Sequence, residues 1–209
     1  GAGGGRQDRV GSRQDRRGWA AGRAATFPAV TIEPDTKDWT WVVDRRCDEC
    51  GFDASSIPAT AVAGLIRDNV AVWRPLLDHP AVAERPSPDR WSALEYACHV
   101  RDVYRIYDER LALMLTEDDP AFPNWDQDAS AIEERYDEQD PHVVAAAIAA
   151  TGEALAASFE RVPPDAWGRT GTRSDGARFT VDTFARYMIH DPVHHVHDVR
   201  QGYARIAAR

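Results

Sequence analysis

The chain has little lysine and no long apolar run, and the second of these absences argues against a membrane protein. Lys37 is the only lysine among 209 residues, and every other basic side chain apart from histidine is arginine. No apolar run approaches the roughly 20 residues needed to cross a bilayer, and the Gly/Arg-rich start lacks the apolar centre of a signal peptide. We therefore expect no membrane contact and a cytoplasmic location.

Positive charge is scarce outside the first 25 residues. Those residues carry six Arg and two Asp, a net charge of +4, which leaves −13 for the remainder because the whole chain carries −9. A body of that charge repels a phosphate backbone, so nucleic-acid binding is not expected. We divide the chain into a disordered or artefactual tail, residues 1–35, and one domain, residues 36–209, that is large enough to bury a core.

Convincing alternating strand patterns are also missing, and apolar residues at helical spacing predict an all-α fold. The four predicted helices span residues 59–77, 92–115, 141–161 and 180–208. Ser92 and Glu95 form a capping-box pattern at the start of the second helix, and Pro141 suits the first turn of the third. Acidic, proline-containing residues 116–140 predict a long loop between these two helices, and residues 168–178 predict another loop.

Three histidines form the main candidate metal site. His190 and His194 are four residues apart, so both imidazoles lie on one side of a helix and can bind one ion. His99, on the second helix, completes a three-nitrogen set with an open coordination position. His195 points about 100° away from His194 and is predicted to pack or to form hydrogen bonds rather than to bind the ion.

The helical wheel of the last helix conflicts with a buried site. Ile189, Val193 and Val196 centre on the side away from the histidines, which alone predicts a solvent-facing histidine strip. Phe184 lies nearer the histidine side, and Pro192 removes a backbone hydrogen bond and can kink the helix. The sequence leaves the two arrangements open.

A second chemical feature, Cys47 and Cys50 followed by a glycine, lies just before the first helix. Two cysteines at this spacing can clamp one side of a zinc ion, but a closed site needs two more ligands, and the sequence has no second CxxC. Three interpretations stay open: a zinc knuckle completed by histidines such as His195 or His197, a reducible dithiol, or two reduced thiols in a turn. Cys98 is expected to be a small buried residue.

Six further residues are expected to contact a substrate. They are Trp125 and Asp126 in the acidic loop, with Arg101, Tyr104, Tyr187 and His197 from the helices.

A Trp-Ser helix start leading to His99, and the late segment His190-Asp-Pro-Val-His194, resemble the DinB-like superfamily. Its members include thiol-dependent transferases and the mycothiol-dependent maleylpyruvate isomerases. The resemblance spans about residues 36–203 and implies an up-down-down-up four-helix bundle. It also implies one metal ligand on the second helix and two on the fourth, which are His99, His190 and His194 here.

The resemblance implies a thiol-dependent S-transferase or isomerase that acts on a small-molecule substrate with a low-molecular-weight thiol such as mycothiol. A divalent ion, zinc foremost with nickel or iron as alternatives, acts in such a site as a Lewis acid that lowers the pKa of a thiol or water. Two alternatives stay open: a noncatalytic metal or small-ligand binding protein with a redox or zinc-binding cysteine pair, and a metal-dependent hydrolase. An exposed apolar side of the first or fourth helix could also form the contact of a homodimer.

Overall fold

Helices dominate the computed structural model, which describes Ile32 and residues 37–209. The α-helices are α1 (Val62–Leu77), α2 (Ala93–Thr116), α3 (Gln127–Glu133), α4 (Pro141–Glu160) and α5 (Val181–Ala207). Two short antiparallel strands, β1 (Thr170–Thr172) and β2 (Arg178–Thr180), precede α5. The four predicted helices are confirmed as α1, α2, α4 and α5. The predicted tail, residues 1–35, lies outside the described residues apart from Ile32.

Side chains at the helix starts explain where three of these helices begin. Ser92 Oγ accepts a hydrogen bond from the Glu95 backbone N–H at 3.3 Å, and Glu95 Oε2 accepts one from the Ser92 N–H at 2.8 Å, which confirms the capping box of α2. Thr180 and Thr183 form a capping box at α5, and Asp140 caps α4. Each cap satisfies backbone donors that the first helical turn leaves without partners.

The four long helices enclose one hydrophobic core. Both α4 and α5 pack against α1 and against α2. Fully buried core side chains come from all four helices: Ile66, Trp73, Leu111, Leu155 and Met188. The predicted all-α four-helix bundle is therefore confirmed.

Among the described helices, α4 alone has the length and apolar composition of a membrane-crossing segment. The expectation that no apolar stretch approaches that length is therefore wrong for α4, whose alanines raise its hydropathy. In the bundle, Val144, Ile148, Leu155 and Phe159 of this helix are buried in the core. A core helix of a bundle and a membrane span share this composition.

Two regions predicted as loops contain short elements. Residues 116–140 include α3 and a 3-10 turn at Tyr136–Glu138. α3 buries none of its side chains, and the Asp126 carboxylate caps its start. The β1–β2 hairpin lies in the second region, and the Phe122 N–H donates to the Thr172 carbonyl of β1 at 2.8 Å. Elements this short give no periodicity from which they could be predicted.

The segment before α1, residues 37–61, packs against α5. Its 3-10 turn at Thr40–Val43 contacts α5, and Arg186 Nη1 donates to the Val43 carbonyl at 3.3 Å. This segment covers the face of α5 that carries His190 and His194, which are only 4% and 6% exposed. α5 runs through Pro192 as one helix. The apolar face and the histidine face are thus both buried, which resolves the conflict posed by the helical wheel.

Candidate metal centres

Two pairs of metal-ligating side chains occupy neighbouring faces of α5. His190 and His194 form one pair and Asp191 and His195 the other, and the four-residue spacing places the members of each pair on one face. One residue step, about 100° of helical turn, separates the pairs. In the described chain the ligand atoms gather into two groups, each with all its atoms within 4.8 Å of one another: Cys47, Cys50, His190 and His194, and His99, Asp191 and His195.

The group of His99, Asp191 and His195 is called here the open centre. His99 Nε2 and His195 Nε2 lie 3.5 Å and 3.6 Å from Asp191 Oδ1. His99 is 1% exposed, yet neither of its ring nitrogens has a hydrogen-bond partner, and neither does Asp191 Oδ1. A buried polar atom without a partner costs about 1–3 kcal/mol. Orphaned atoms that converge in this way fit a divalent ion, and two imidazoles with one carboxylate are a donor set that zinc and iron accept.

Neighbouring side chains orient both imidazoles of the open centre. His195 Nδ1 lies 3.0 Å from Asp198 Oδ2, which leaves Nε2 as the nitrogen beside Asp191. Trp125 stacks on the His99 ring with the centroids 5.3 Å apart and the planes 10° apart. Carboxylate partners of this kind fix the tautomer and direction of metal-binding histidines.

Asp191 is the anionic member of the open centre. Burial raises the pKa of its carboxyl, but the imidazoles of His195 and His99 outweigh that effect and hold the pKa below its ordinary value. The carboxylate is therefore ionised at neutral pH. Because metal-bound imidazoles add no charge, this carboxylate would leave a divalent ion in the open centre one net positive charge.

The group of Cys47, Cys50, His190 and His194 is called here the cysteine centre. Cys47 Sγ lies 3.7 Å from His194 Nδ1, and Cys50 Sγ lies 3.7 Å from His190 Nε2. Gly51 closes the turn, because its N–H donates to the Cys47 carbonyl at 2.9 Å and its φ of 77° favours glycine. The knuckle hypothesis named His195 or His197 as the completing ligands, whereas the structure brings His190 and His194 to the cysteines.

Burial stabilises the uncharged forms of His190 and Cys50 in the cysteine centre. The Trp39 ring lies 5.3 Å from the His190 ring and 4.9 Å from the His194 ring. Burial and the neighbouring His194 imidazole lower the pKa of His190 to about 4, so its ring is neutral at pH 7. Burial raises the pKa of the Cys50 thiol to about 11, so the thiol keeps its proton unless a cation replaces it.

A cavity of about 320 Å³ opens beside both centres. Asp191 and His195 line it from the open centre, and His190 and His194 line it from the cysteine centre. Aromatic and charged walls surround them, among them Lys37, Trp39, Glu49, Arg90, Trp91 and Tyr96. Aromatic walls with a few polar groups are typical of a small-molecule site.

The predicted three-histidine set is divided between the two centres. His190 and His194 do lie together, as their spacing requires, but they face the cysteines, whereas His99 lies with Asp191 and His195. The physical reason is the 100° step of the helix, which directs residues 191 and 195 toward α2. Sequence reasoning missed His195 as a member of a ligand group, although Asp191 and His195 repeat the four-residue spacing and could have revealed it.

Among the residues predicted to contact a substrate, Tyr187 lines the cavity. Trp125 stacks on His99 and donates from Nε1 to Ser130 Oγ at 2.9 Å, so it supports the open centre. Asp126 is the cap of α3.

Like Trp125 and Asp126, the other three lie outside the cavity lining. Arg101 forms ion pairs with Asp102 and Glu134. Tyr104 is fully buried and donates from its hydroxyl to Asn69 Oδ1 at 2.7 Å. The His197 ring lies 6.1 Å from the His194 ring. Sequence reasoning missed two cavity residues: Trp39, which no motif marks, and Glu49, which lies between the two cysteines of the CxxC motif.

Comparisons with known proteins agree with this architecture. The family model of the DinB superfamily matches residues 62–199. No curated protein matches the chain. Among solved structures, this chain is similar to YfiT from Bacillus subtilis, which is described as a probable metal-dependent hydrolase with an unusual four-helix bundle topology. The TM-score is 0.57 and the sequence identity is 16%, and the match covers 85% of this chain and 94% of YfiT. At that identity the likeness concerns the fold, and the family match, which spans more than half of the chain, shows that this protein belongs to the DinB superfamily.

Proposed function

We propose that this protein is a metal-dependent transferase or isomerase that uses a low-molecular-weight thiol, with its reaction centre at His99, Asp191 and His195. One observation carries the proposal: three ligand atoms converge at the edge of a cavity, and the buried ring nitrogens of His99 have no hydrogen-bond partner. Three protein ligands leave a coordination position for a reactant, as in catalytic zinc sites. Zinc is the favoured ion, with nickel or iron as alternatives.

The charge of the open centre favours a thiol. A divalent ion held there would supply a Lewis acid, and a coordinating thiol loses its proton outright. The Asp191 carboxylate neutralises one of the two positive charges, so a single anionic reactant makes the assembly neutral. A thiolate is such a reactant, and because a coordinating thiol loses its proton more completely than bound water does, it requires no general base from the protein. The cytoplasm maintains thiols in the reduced state, so a cytoplasmic location is part of the proposal.

The chain's own residues orient and enclose the reactants. Asp198 holds the His195 ring, and Trp125 holds the His99 ring. Trp91 and Tyr96 provide apolar walls, while Arg90 supplies a cation beside the cavity for an anionic substrate group. The cavity of about 320 Å³ is in the size range of small-molecule sites.

A metal-dependent hydrolase is the second candidate. YfiT, a protein of similar fold, is described as a probable metal-dependent hydrolase. Glu49 and Asp128 line the cavity and offer carboxylates that could act as a general base for water.

Metal analysis and thermal-shift measurements test the proposal on wild type and two variants. His99→Ala removes a ligand of the open centre, and His197→Ala is the matched control on α5 outside both centres. We expect mycothiol, bacillithiol, glutathione or coenzyme A to raise the melting temperature of the metal-loaded wild type, because a ligand stabilises the state that binds it. The shift should disappear in His99→Ala together with one metal equivalent, and it should persist in His197→Ala.

Two results would contradict the thiol proposal. If none of the four thiols changes the melting temperature, and the metal-loaded protein hydrolyses p-nitrophenyl acetate in a manner that depends on His99, the hydrolase candidate replaces it. If His99→Ala retains the wild-type metal content, the open centre is not a metal site.

A further inference from the structure

We infer that Cys47, Cys50, His190 and His194 form a second metal site, a closed zinc centre that fastens the segment before α1 onto α5. This centre is separate from the open centre and independent of the reaction proposed there. Its four ligands come from two parts of the chain that lie about 140 residues apart, since Cys50 contacts His190 and Cys47 contacts His194.

The spacing of the donor atoms fits tetrahedral zinc. Zinc–sulfur bonds of about 2.3 Å and zinc–nitrogen bonds of about 2.0–2.1 Å place a sulfur and a nitrogen about 3.5–3.6 Å apart in a tetrahedron. Both sulfur–nitrogen pairs lie at 3.7 Å, Cys47 Sγ to His194 Nδ1 and Cys50 Sγ to His190 Nε2. All four donor atoms lie within 4.8 Å of one another. Zinc therefore fits with small side-chain adjustments.

The donor set and its charge also select zinc. Two thiolates and two imidazoles are a structural zinc set, and with all four positions taken by protein no position is left for a reactant. Binding releases the two thiol protons to solvent, and the two thiolate charges then cancel the charge of the ion. A neutral assembly suits this place, because Cys47 is 1% exposed and both histidines are buried.

Surrounding groups support the outer side of the centre. His194 would bind through Nδ1, and its Nε2 lies 3.7 Å from both Glu49 Oε2 and Asp198 Oδ1. Carboxylates near the second nitrogen orient a metal-binding imidazole. Trp39 packs against both histidine rings.

Fastening this segment also shapes the cavity beside the open centre. Lys37, Trp39 and Glu49 belong to the fastened segment and line that cavity. Lys37 Nζ also donates to Glu49 Oε1 at 2.7 Å, and this ion pair joins two parts of the segment that lie 12 residues apart. The zinc centre thus fixes one wall of the cavity. The open centre still has a coordination position for a reactant.

Cobalt substitution of the full chain tests this inference. Thiolate-bound Co²⁺ has a sulfur-to-metal charge-transfer absorption, whereas cobalt bound only by nitrogen and oxygen lacks it. We expect two cobalt equivalents per wild-type chain, with this absorption. Cys47→Ser and Cys50→Ser should each lose one equivalent and the absorption. His99→Ala should lose one equivalent but retain the absorption, because each variant removes cobalt from one centre only.

Cys98→Ala is the matched control, because Cys98 is a buried cysteine on α2 outside the cysteine centre. It should retain both equivalents and the absorption. A wild-type protein whose cobalt spectrum lacks thiolate absorption would overturn the inference, and this result needs no variant to fold. Unchanged cobalt content in a folded Cys47→Ser protein would also overturn it.

Hydrogen exchange provides a readout of the fastening. Loss of zinc from Cys50→Ser should increase amide exchange in residues 39–53 and leave exchange in the core of α2 and α4 unchanged. Equal exchange of residues 39–53 in wild type and Cys50→Ser would show that the centre fastens nothing.

Discussion

Adjacent residues of α5 present different donor atoms to different neighbours. His190 and His194 turn their nitrogens to two sulfurs, while Asp191 and His195 present oxygen and nitrogen to His99. A set rich in sulfur favours zinc in a closed site, and a set of two imidazoles and one carboxylate leaves reactive positions. The chemistry of each centre is therefore decided by the residues that approach α5 from elsewhere.

Asp198 offers a test at the level of one residue. Its Oδ2 lies 3.0 Å from His195 Nδ1, whereas its Oδ1 lies 3.7 Å from His194 Nε2, so it supports the open centre more closely. We expect Asp198→Ala to weaken metal binding at the open centre by about 10–100-fold, because partners of this kind orient the ligand and raise its basicity. Competition titration with a metal indicator measures the affinity.

Asp182→Ala is the control for this change, because Asp182 pairs with Arg186 on α5 outside both centres. Its metal affinities should match those of wild type. If Asp198→Ala binds metal at the open centre as tightly as Asp182→Ala does, the orienting role is wrong.

At the level of helices, the bundle depends on close approach of α4 to its neighbours. A Cβ placed on Gly152 of α4 would lie 2.4 Å from Val70 Cγ2 of α1 and 3.3 Å from the Tyr104 ring of α2. Real Cβ atoms do not approach other atoms as closely as 2.4 Å. Glycine at this position therefore sets the spacing between α4 and α1.

We expect Gly152→Ala to lower the free energy of unfolding by about 1–3 kcal/mol, the usual cost of inserting a methyl group into a packed core. Gly64→Ala is the matched control, because a Cβ there has no heavy atom within 4 Å. That substitution should raise the free energy of unfolding by up to about 1 kcal/mol, since alanine favours a helix more than glycine does. Urea denaturation of both variants measures the difference, and equal stabilities would contradict the packing account.

The long helices could be predicted from the sequence, and the short elements could not. α2 and α5 have apolar stripes many turns long, and α2 has a capping-box pattern at its start, so local chemistry determines them. α3 buries no side chain, and the strands of the hairpin are three residues long. Those elements depend on the Asp126 cap and on pairing with the loop at Phe122, which sequence periodicity does not encode.

The candidate site could be predicted only in part, for a similar reason. The four-residue spacing correctly paired His190 with His194, since helix geometry alone requires it. The sequence could not show that the turn at Cys47 and Cys50 packs on that face, because this contact spans about 140 residues. Without that turn, His99 was the obvious third ligand for the pair.

At the scale of the whole molecule, the segment before α1 joins the two centres. It supplies both sulfurs to the cysteine centre, and with Ile32 just upstream it supplies four residues, Ile32, Lys37, Trp39 and Glu49, to the cavity. The bundle supplies all three ligands of the open centre from α2 and α5. The two centres therefore have no ligand in common, but members of both line the same cavity.

Anomalous diffraction from crystals grown with zinc tests the division into two centres most directly. We expect two anomalous peaks per chain, one bounded by Cys47, Cys50, His190 and His194 and one bounded by His99, Asp191 and His195. A single peak coordinated by His99, His190 and His194, with Asp191, His195 and both cysteines outside bonding distance, would contradict that division.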